Sequence, residues 1–171
     1  MSFDRQPTLR GKLVAVRPLC EADFDALYAA ASDPKLWAQH PAQDRYKRSV
    51  FEGLFQESID SGGALVVSDV RSGNVIGSSR YHGFNAAASE IEIGWTFLAR
   101  THWGGQYNGE LKRLMLQHAF RFVSSVVFLV GPKNLRSQRA VEKIGGRRDG
   151  SRLDGAGVPS FVYRINAKTL P

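Results

Sequence analysis

The stretch from Ser89 to Asn108 constrains this chain more than any other. Its first half, SEIEIGWTFL, suits a strand, and its second half, ARTHWGGQYN, is a short loop that runs straight into a helix. A strand that delivers a glycine-bearing loop to a helix start makes an anion site. The first backbone N–H groups of the helix lack internal partners, and the helix dipole favours negative charge there. Along the strand, Ile91, Ile93, Trp95 and Phe97 are expected on one face, with Glu90, Glu92, Gly94 and Thr96 on the other. The following helix spaces Leu111, Leu114, Met115, His118 and Phe122 so that it packs on a sheet.

The rest of the chain supplies that sheet. Lys12 to Leu19 alternates as a first strand, and Glu21 to Ser32 is expected to be a helix with Phe24, Leu27, Tyr28 and Ala31 on one face. Arg48 to Ser61 reads as a second helix, ended by Gly62-Gly63. Ala64 to Val70 and Val75 to Tyr81 are strands joined by the turn RSGN. SVVFLV, residues 125 to 130, is continuously apolar and therefore a central, buried strand. Asn134 is a good N-cap for a helix over Leu135 to Ile144, and closing strands are expected near Arg147 to Leu153 and Phe161 to Ile165. No linker or repeat interrupts the 171 residues, so a single domain of mixed α/β (α+β) class around one central sheet is expected.

Charge adds a further pointer. The formal net charge is +7, and between Lys112 and Arg152 ten Lys or Arg stand against only Glu142 and Asp149. For any one of these residues a solvated basic face is the simpler reading, but together they suggest a polyanionic partner: nucleic acid, a membrane surface or a nucleotide cofactor. Cys20 is the lone cysteine, which excludes an intrachain disulfide and suits a reducing cytoplasm. No apolar run approaches membrane-spanning length, and no His/Cys/Asp cluster has metal-ligand spacing, so neither a membrane nor a metal is expected.

Three segments, EIGWTFLARTHWGGQYNGELKRLM at 92 to 115, NLRSQRAVEKIGG at 134 to 146 and the opening LRGKLVAVRPLCEADFDAL, resemble the GNAT acetyltransferase superfamily. More narrowly they are similar to its Rim-like branch, the ribosomal-protein N-terminal acetyltransferases and their small-molecule-acting relatives. The resemblance runs from Leu9 to about Ile165. It implies a GNAT-like acyl-CoA N-acyltransferase fold, acetyl-CoA as co-substrate, an amine acceptor and a possible homodimer. It also implies that the strand ending near Leu98 splays from its neighbour and pairs with the pantetheine arm, which points to Trp95, Thr96 and Phe97. The loop Trp103, Gly104, Gly105, Gln106, Tyr107 and Asn108 would then hold the pyrophosphate. The usual loop pattern is Q/R-x-x-G-x-G/A, and here Gln106 and Asn108 stand where Gly and Gly or Ala are usual.

By the same resemblance, Asn134 orders a strand-to-helix junction, Arg139 reaches a phosphate or the adenosine side, and a proton donor follows seven residues after the Asn. That position is Val141, so Ser137 is the nearest substitute acid. Simple helix capping explains Asn134 and Ser137 as well. For the base, Glu90 and Glu92 lie on one strand face leading to the loop, and Glu92 is nearer the splay. A lone strand glutamate is more often an arginine's partner than a base. His82 and His102 are candidate bases or acceptor contacts, Tyr81 and Tyr107 candidate acids, and His118 a structural histidine. Trp37, His40, Tyr46 and Phe84 are candidate lining residues for the acceptor. An N-acetyltransferase acting on a primary amine, at a protein N-terminus or on a small molecule, is the leading reading. A catalytically degenerate relative that binds a CoA-type nucleotide or a partner without turnover, kept alive by Gln106, Asn108 and Val141, is the alternative. A nucleic-acid module comes last, because Phe120, Phe122 and Phe128 sit at core spacing and no stacking residues interleave the charges.

Overall fold

The alternating and continuous apolar segments resolve into eight strands of one sheet in the computed structural model, which describes residues 2–169. The strands are β1 (Leu9–Arg10), β2 (Val14–Pro18), β3 (Ala64–Asp69), β4 (Val75–Asn85), β5 (Glu90–Leu98), β6 (Ser125–Val130), β7 (Arg147–Leu153) and β8 (Pro159–Asn166). They lie in the order β1-β2-β3-β4-β5-β6-β8-β7. Every pairing is antiparallel except that of β5 with β6. That parallel step needs a crossover, and the helix after the glycine-bearing loop supplies it.

Four helices cover the sheet: α1 (Phe24–Ala31), α2 (Arg48–Asp60), α3 (Tyr107–Ala119) and α4 (Leu135–Lys143). The expected helix over Glu21 to Ser32 begins as a 3-10 turn, Glu21–Asp23, before α1. Its polar start is locked by Asp23, which accepts the Cys20 N–H at 2.9 Å and pairs with Arg17 at 2.7 Å. Asn134 caps α4 by accepting the Ser137 N–H, as its side-chain type suggested. α2 buries Phe51 and Phe55 and ends at Gly62, whose φ of +62° suits a residue without Cβ.

The two sheet faces carry separate cores. On one, Leu111, Met115 and Leu116 of α3 and Val141 of α4 pack on Val14, Val67, Ile91, Ile93, Val126 and Phe128. On the other, Leu27, Phe51 and Phe55 of α1 and α2 pack on Ala64, Val66 and Phe97, together with Trp37. Full burial of side chains this size contributes about 1.5–3 kcal/mol each, so both layers pin their helices to the sheet. α3 is fixed further by Glu110, whose carboxylate accepts the N–H groups of Lys12, Leu13 and Val14 at 2.7–3.0 Å.

Candidate active site

β5 departs from simple alternation at Trp95. Arg80 pairs with Gly94 and Ser78 with Phe97, so β5 carries one residue more than β4 across this interval. Trp95 takes φ +51°, the left-handed region that a bulky side chain rarely enters. Such a conformation costs on the order of 1–3 kcal/mol and persists where neighbours enforce it. Here the Arg80 guanidinium lies 4.2 Å from the indole centroid and the His82 ring 5.0 Å away. The bulge overturns the expected strand faces. Ile91 and Ile93 stay under α3, but Phe97 crosses to the α1–α2 side, 5.2 Å from Trp37, while Thr96 turns toward α3.

Just beyond Glu92 the sheet opens. The β5–β6 ladder comprises Glu90–Ser125, Ile91–Val126 and Glu92–Val127, and stops there. From Ile93 to Leu98 on β5, and from Phe128 to Val130 on β6, the facing edges have no strand between them. This is the splay implied for Trp95, Thr96 and Phe97. Lys112 of α3 lies beneath it, 4% exposed, donating Nζ–H to Thr96 Oγ1, which also bonds Ser79 Oγ at 2.8 Å. Lys112 therefore belongs to the core and not to a solvated basic face.

The opening leads to the loop before α3. Trp103 is anchored by its indole N–H to Leu98 O at 2.8 Å and by Arg136, whose guanidinium stacks 3.8 Å from the ring centroid. Gly104 has φ +70°. Among the described residues, no acceptor takes the backbone N–H groups from Gly104 through Asn108, nor that of Gly109. The side chains of Gln106 and Asn108 leave this row of donors open, and the Gln106 side chain makes no cap of its own. The α4 arginine that turns toward the loop is Arg136; Arg139 is exposed.

The two strand glutamates differ. Burial alone would raise the Glu90 carboxyl, but ion pairs with Arg152 at 2.8 Å and Arg164 at 2.6 Å hold it below the usual carboxylate range. Glu92 makes no hydrogen bond or ion pair among the described residues. Burial pushes it up to about 7, only partly opposed by the charges of Arg152 and Arg80. It opens onto a cleft of ≈ 280 Å³ lined by His82, Arg152, Asp154 and Leu129. Ser137 lies half-buried on α4, its hydroxyl without a partner among the described residues.

Several other candidates are occupied elsewhere. Tyr81 donates to Met115 O at 2.7 Å inside the core, and the Tyr107 hydroxyl faces Asp69 at 3.5 Å. His102 pairs with Asp69 at 3.2 Å, and His118 bonds Asp4 O at 2.8 Å. Phe84 packs with Phe3 on the α3 side, across the sheet from α1 and α2. Trp37, His40 and Tyr46 do lie on the α1–α2 side. Sequence reasoning missed Arg45 and Arg80 there, since isolated arginines carry no motif. Among the described residues no metal-ligating group of His, Cys, Asp and Glu forms, and no helix is long and apolar enough to cross a membrane.

A mixed sheet opened along one parallel seam, with a row of free amides at its mouth and an unpaired carboxylate beside it, is a frame for acyl transfer from an extended anionic donor. A family model for the acetyltransferase (GNAT) domain matches residues 14–147, and the chain belongs to that family of acyl-CoA-dependent N-acetyltransferases. Its fold is similar to that of a GCN5-related N-acetyltransferase from Brucella melitensis, with TM-score 0.82 and 21% identity over 94% of this chain and 79% of that one. An acetyltransferase from Agrobacterium tumefaciens is 26% identical over 94% of this chain and 94% of its own, with TM-score 0.73. Mycobacterium smegmatis RimJ, solved in complex with CoA-disulfide, is 19% identical with TM-score 0.70, over 97% of this chain and 88% of that one. A comparison with curated protein sequences returns no match.

Proposed function

We propose that the protein transfers the acetyl group of acetyl-CoA to a primary amine in the cytoplasm, by direct attack, with Glu92 as the general base. The observation that carries this reading is Glu92 itself. It is the carboxylate left free beside the seam, and burial sets it near 7, where a base can accept a proton at neutral pH.

Acetyl-CoA would supply an activated acetyl thioester, and the residues present fit it. The free amides of Gly104, Gly105, Gln106, Tyr107 and Asn108 supply donors for a pyrophosphate. The facing edges of β5 and β6 leave room for an extended arm against Thr96 and Phe97, with the bulge at Trp95 presenting backbone toward a carbonyl. Trp103 is braced by Arg136, and Asn134 fixes the start of α4 beside it. Exposed Arg139 remains available for an outer phosphate. Glu92, through water, takes the proton that the acceptor ammonium must lose. The amine nitrogen then bonds to the acetyl carbon as the carbon–sulfur bond breaks, Ser137 donates its proton to the departing sulfur, and the second proton shed by the nitrogen passes through water to replace the one that Ser137 gave. No covalent bond to the enzyme is needed.

Calorimetric titration of acetyl-CoA into the wild type and Gln106→Glu tests the donor site. Micromolar binding, abolished by the new carboxylate, is expected. Absence of binding to the wild type would favour a degenerate domain.

A further inference from the structure

Between α1, α2 and the bulged strand a narrow cavity of ≈ 10 Å³, room for about one water, opens beside an unexplained cation. Arg45 lines it together with Ser58, Ser78, Trp95 and Phe97. Its guanidinium stacks 5.6 Å from the Trp37 ring centroid and has no carboxylate partner among the described residues. Burial lowers its pKa despite the more distant charges of Glu57, Asp44 and Asp154. Arg80 adjoins it, 2% exposed. Arg80 pairs with Glu57, but its Nε–H is a buried donor without a partner.

The neighbour of Arg45 makes the point sharper. The backbone N–H of Ala42 donates to His40 Nδ1 at 2.9 Å, so Nδ1 is unprotonated and the ring proton of a neutral imidazole must be on Nε2. Burial, with Arg45 second, holds His40 down to about 4, so the ring is neutral at pH 7. Yet Nε2 faces Arg45 Nη1 at 3.3 Å, and a guanidinium has only donors. Two N–H groups thus point at one another. An oxyanion that accepts from both would resolve the conflict with charge-assisted hydrogen bonds.

We propose that Arg45 and the Nε2–H of His40 bind a carboxylate of the acceptor, so that the enzyme acetylates small amines that also carry a carboxylate, as amino acids do. This rests on the acetyltransferase reading above. The location suits it: the charges of Arg80 and Asp154 bear on both Arg45 and Glu92, and Trp95, which lines the cavity, belongs to the strand that borders the seam. A cation-lined pocket correspondingly selects against a polyamine.

The test compares L-amino acids, their C-terminal amides and spermidine as acceptors for the full chain. Free acids should show kcat/KM at least ~10-fold above the matched amides, through KM, and Arg45→Gln should collapse that preference. Should Arg45→Gln misfold, titration of the wild type with an amino acid, followed at the His40 ring nitrogens by NMR, answers separately. The acid and not the amide should move Nε2, with or without acetyl-CoA. Equal use of acids and amides, or preference for spermidine, overturns the proposal. A silent His40 does the same. Acetyl-CoA binding measured in parallel keeps the two readings apart: a bound donor with no carboxylate preference sinks only the acceptor assignment. A His40 response without donor binding upholds the anion site and removes its acetyl-transfer role.

Discussion

Lys112 donates to Thr96 Oγ1 from inside the core, beneath the place where β5 and β6 separate. It has no acidic partner among the described residues, and burial lowers its pKa to about 7. The unfolded chain therefore binds more protons than the fold between about pH 7 and the ordinary lysine value, and folding stability gains with pH across that window. Lys112→Met is expected to stabilise the protein below pH 7, on the order of 4 kcal/mol, with the advantage shrinking steadily toward pH 10. Urea denaturation of both proteins at several pH values measures this. A pH-independent difference would mean that Lys112 is charged within the fold.

Glu92 predicts a rate profile. Its carboxyl must be ionised to take a proton, so kcat/KM should rise with pH and level off above about 7. Glu92→Gln should cost about 10²–10³ in kcat while leaving acetyl-CoA affinity within a few-fold. Glu90→Gln should instead act on stability, since Glu90 holds Arg152 and Arg164.

The bulge at Trp95 depends on a glycine across the ladder. A Cβ at Gly77 would meet Phe97 O and the Leu98 side chain. Gly77→Ala should therefore displace β5 at the bulge, lowering Tm and reducing turnover far more than the same change at a surface glycine such as Gly53, which has open space around it. Thermal melts with steady-state rates for both variants decide this.

Glu110 predicts the reverse pattern. Removing its carboxylate strands three buried or half-buried backbone donors, so Glu110→Ala should cost about 2–4 kcal/mol of stability. Burial opposes ionisation, but those N–H groups hold its pKa below the ordinary value, so its contribution is present at neutral pH and lost as acid protonates it. At a temperature where the variant remains folded, acetyl-CoA affinity should change little.

What was legible in the sequence was whatever local chemistry dictates. The Asn134 cap, the turn after Asp69 and the continuous apolar run of β6 each declare themselves within a few residues. The site depends on relations between strands, which alternation alone cannot encode. One inserted residue at Trp95 moved Phe97 to the other face, and the sequence around it shows no break in pattern. Lys112 sat in a run of basic residues that looked solvated, because the spacing of Leu111, Leu114, Met115 and His118 marks the buried stripe of α3 but not that it widens to take in Lys112. Arg136 was missed as well, because its stacking on Trp103 is a contact between α4 and a loop distant in sequence. Arg45 and Arg80 stayed hidden because their meaning lies in a missing partner.

The short β5–β6 ladder also has a mechanical side. Only three residue pairs fasten the five strands from β1 to β5 to the three from β6 to β8, apart from the helices and loops that bridge them. Beyond Glu92 the edge of β5 that faces β6 has no strand partner. A ligand arm laid along that gap, as proposed for acetyl-CoA, would act as a suture as much as a guest. Its binding energy would then become cohesion between the two halves of the sheet.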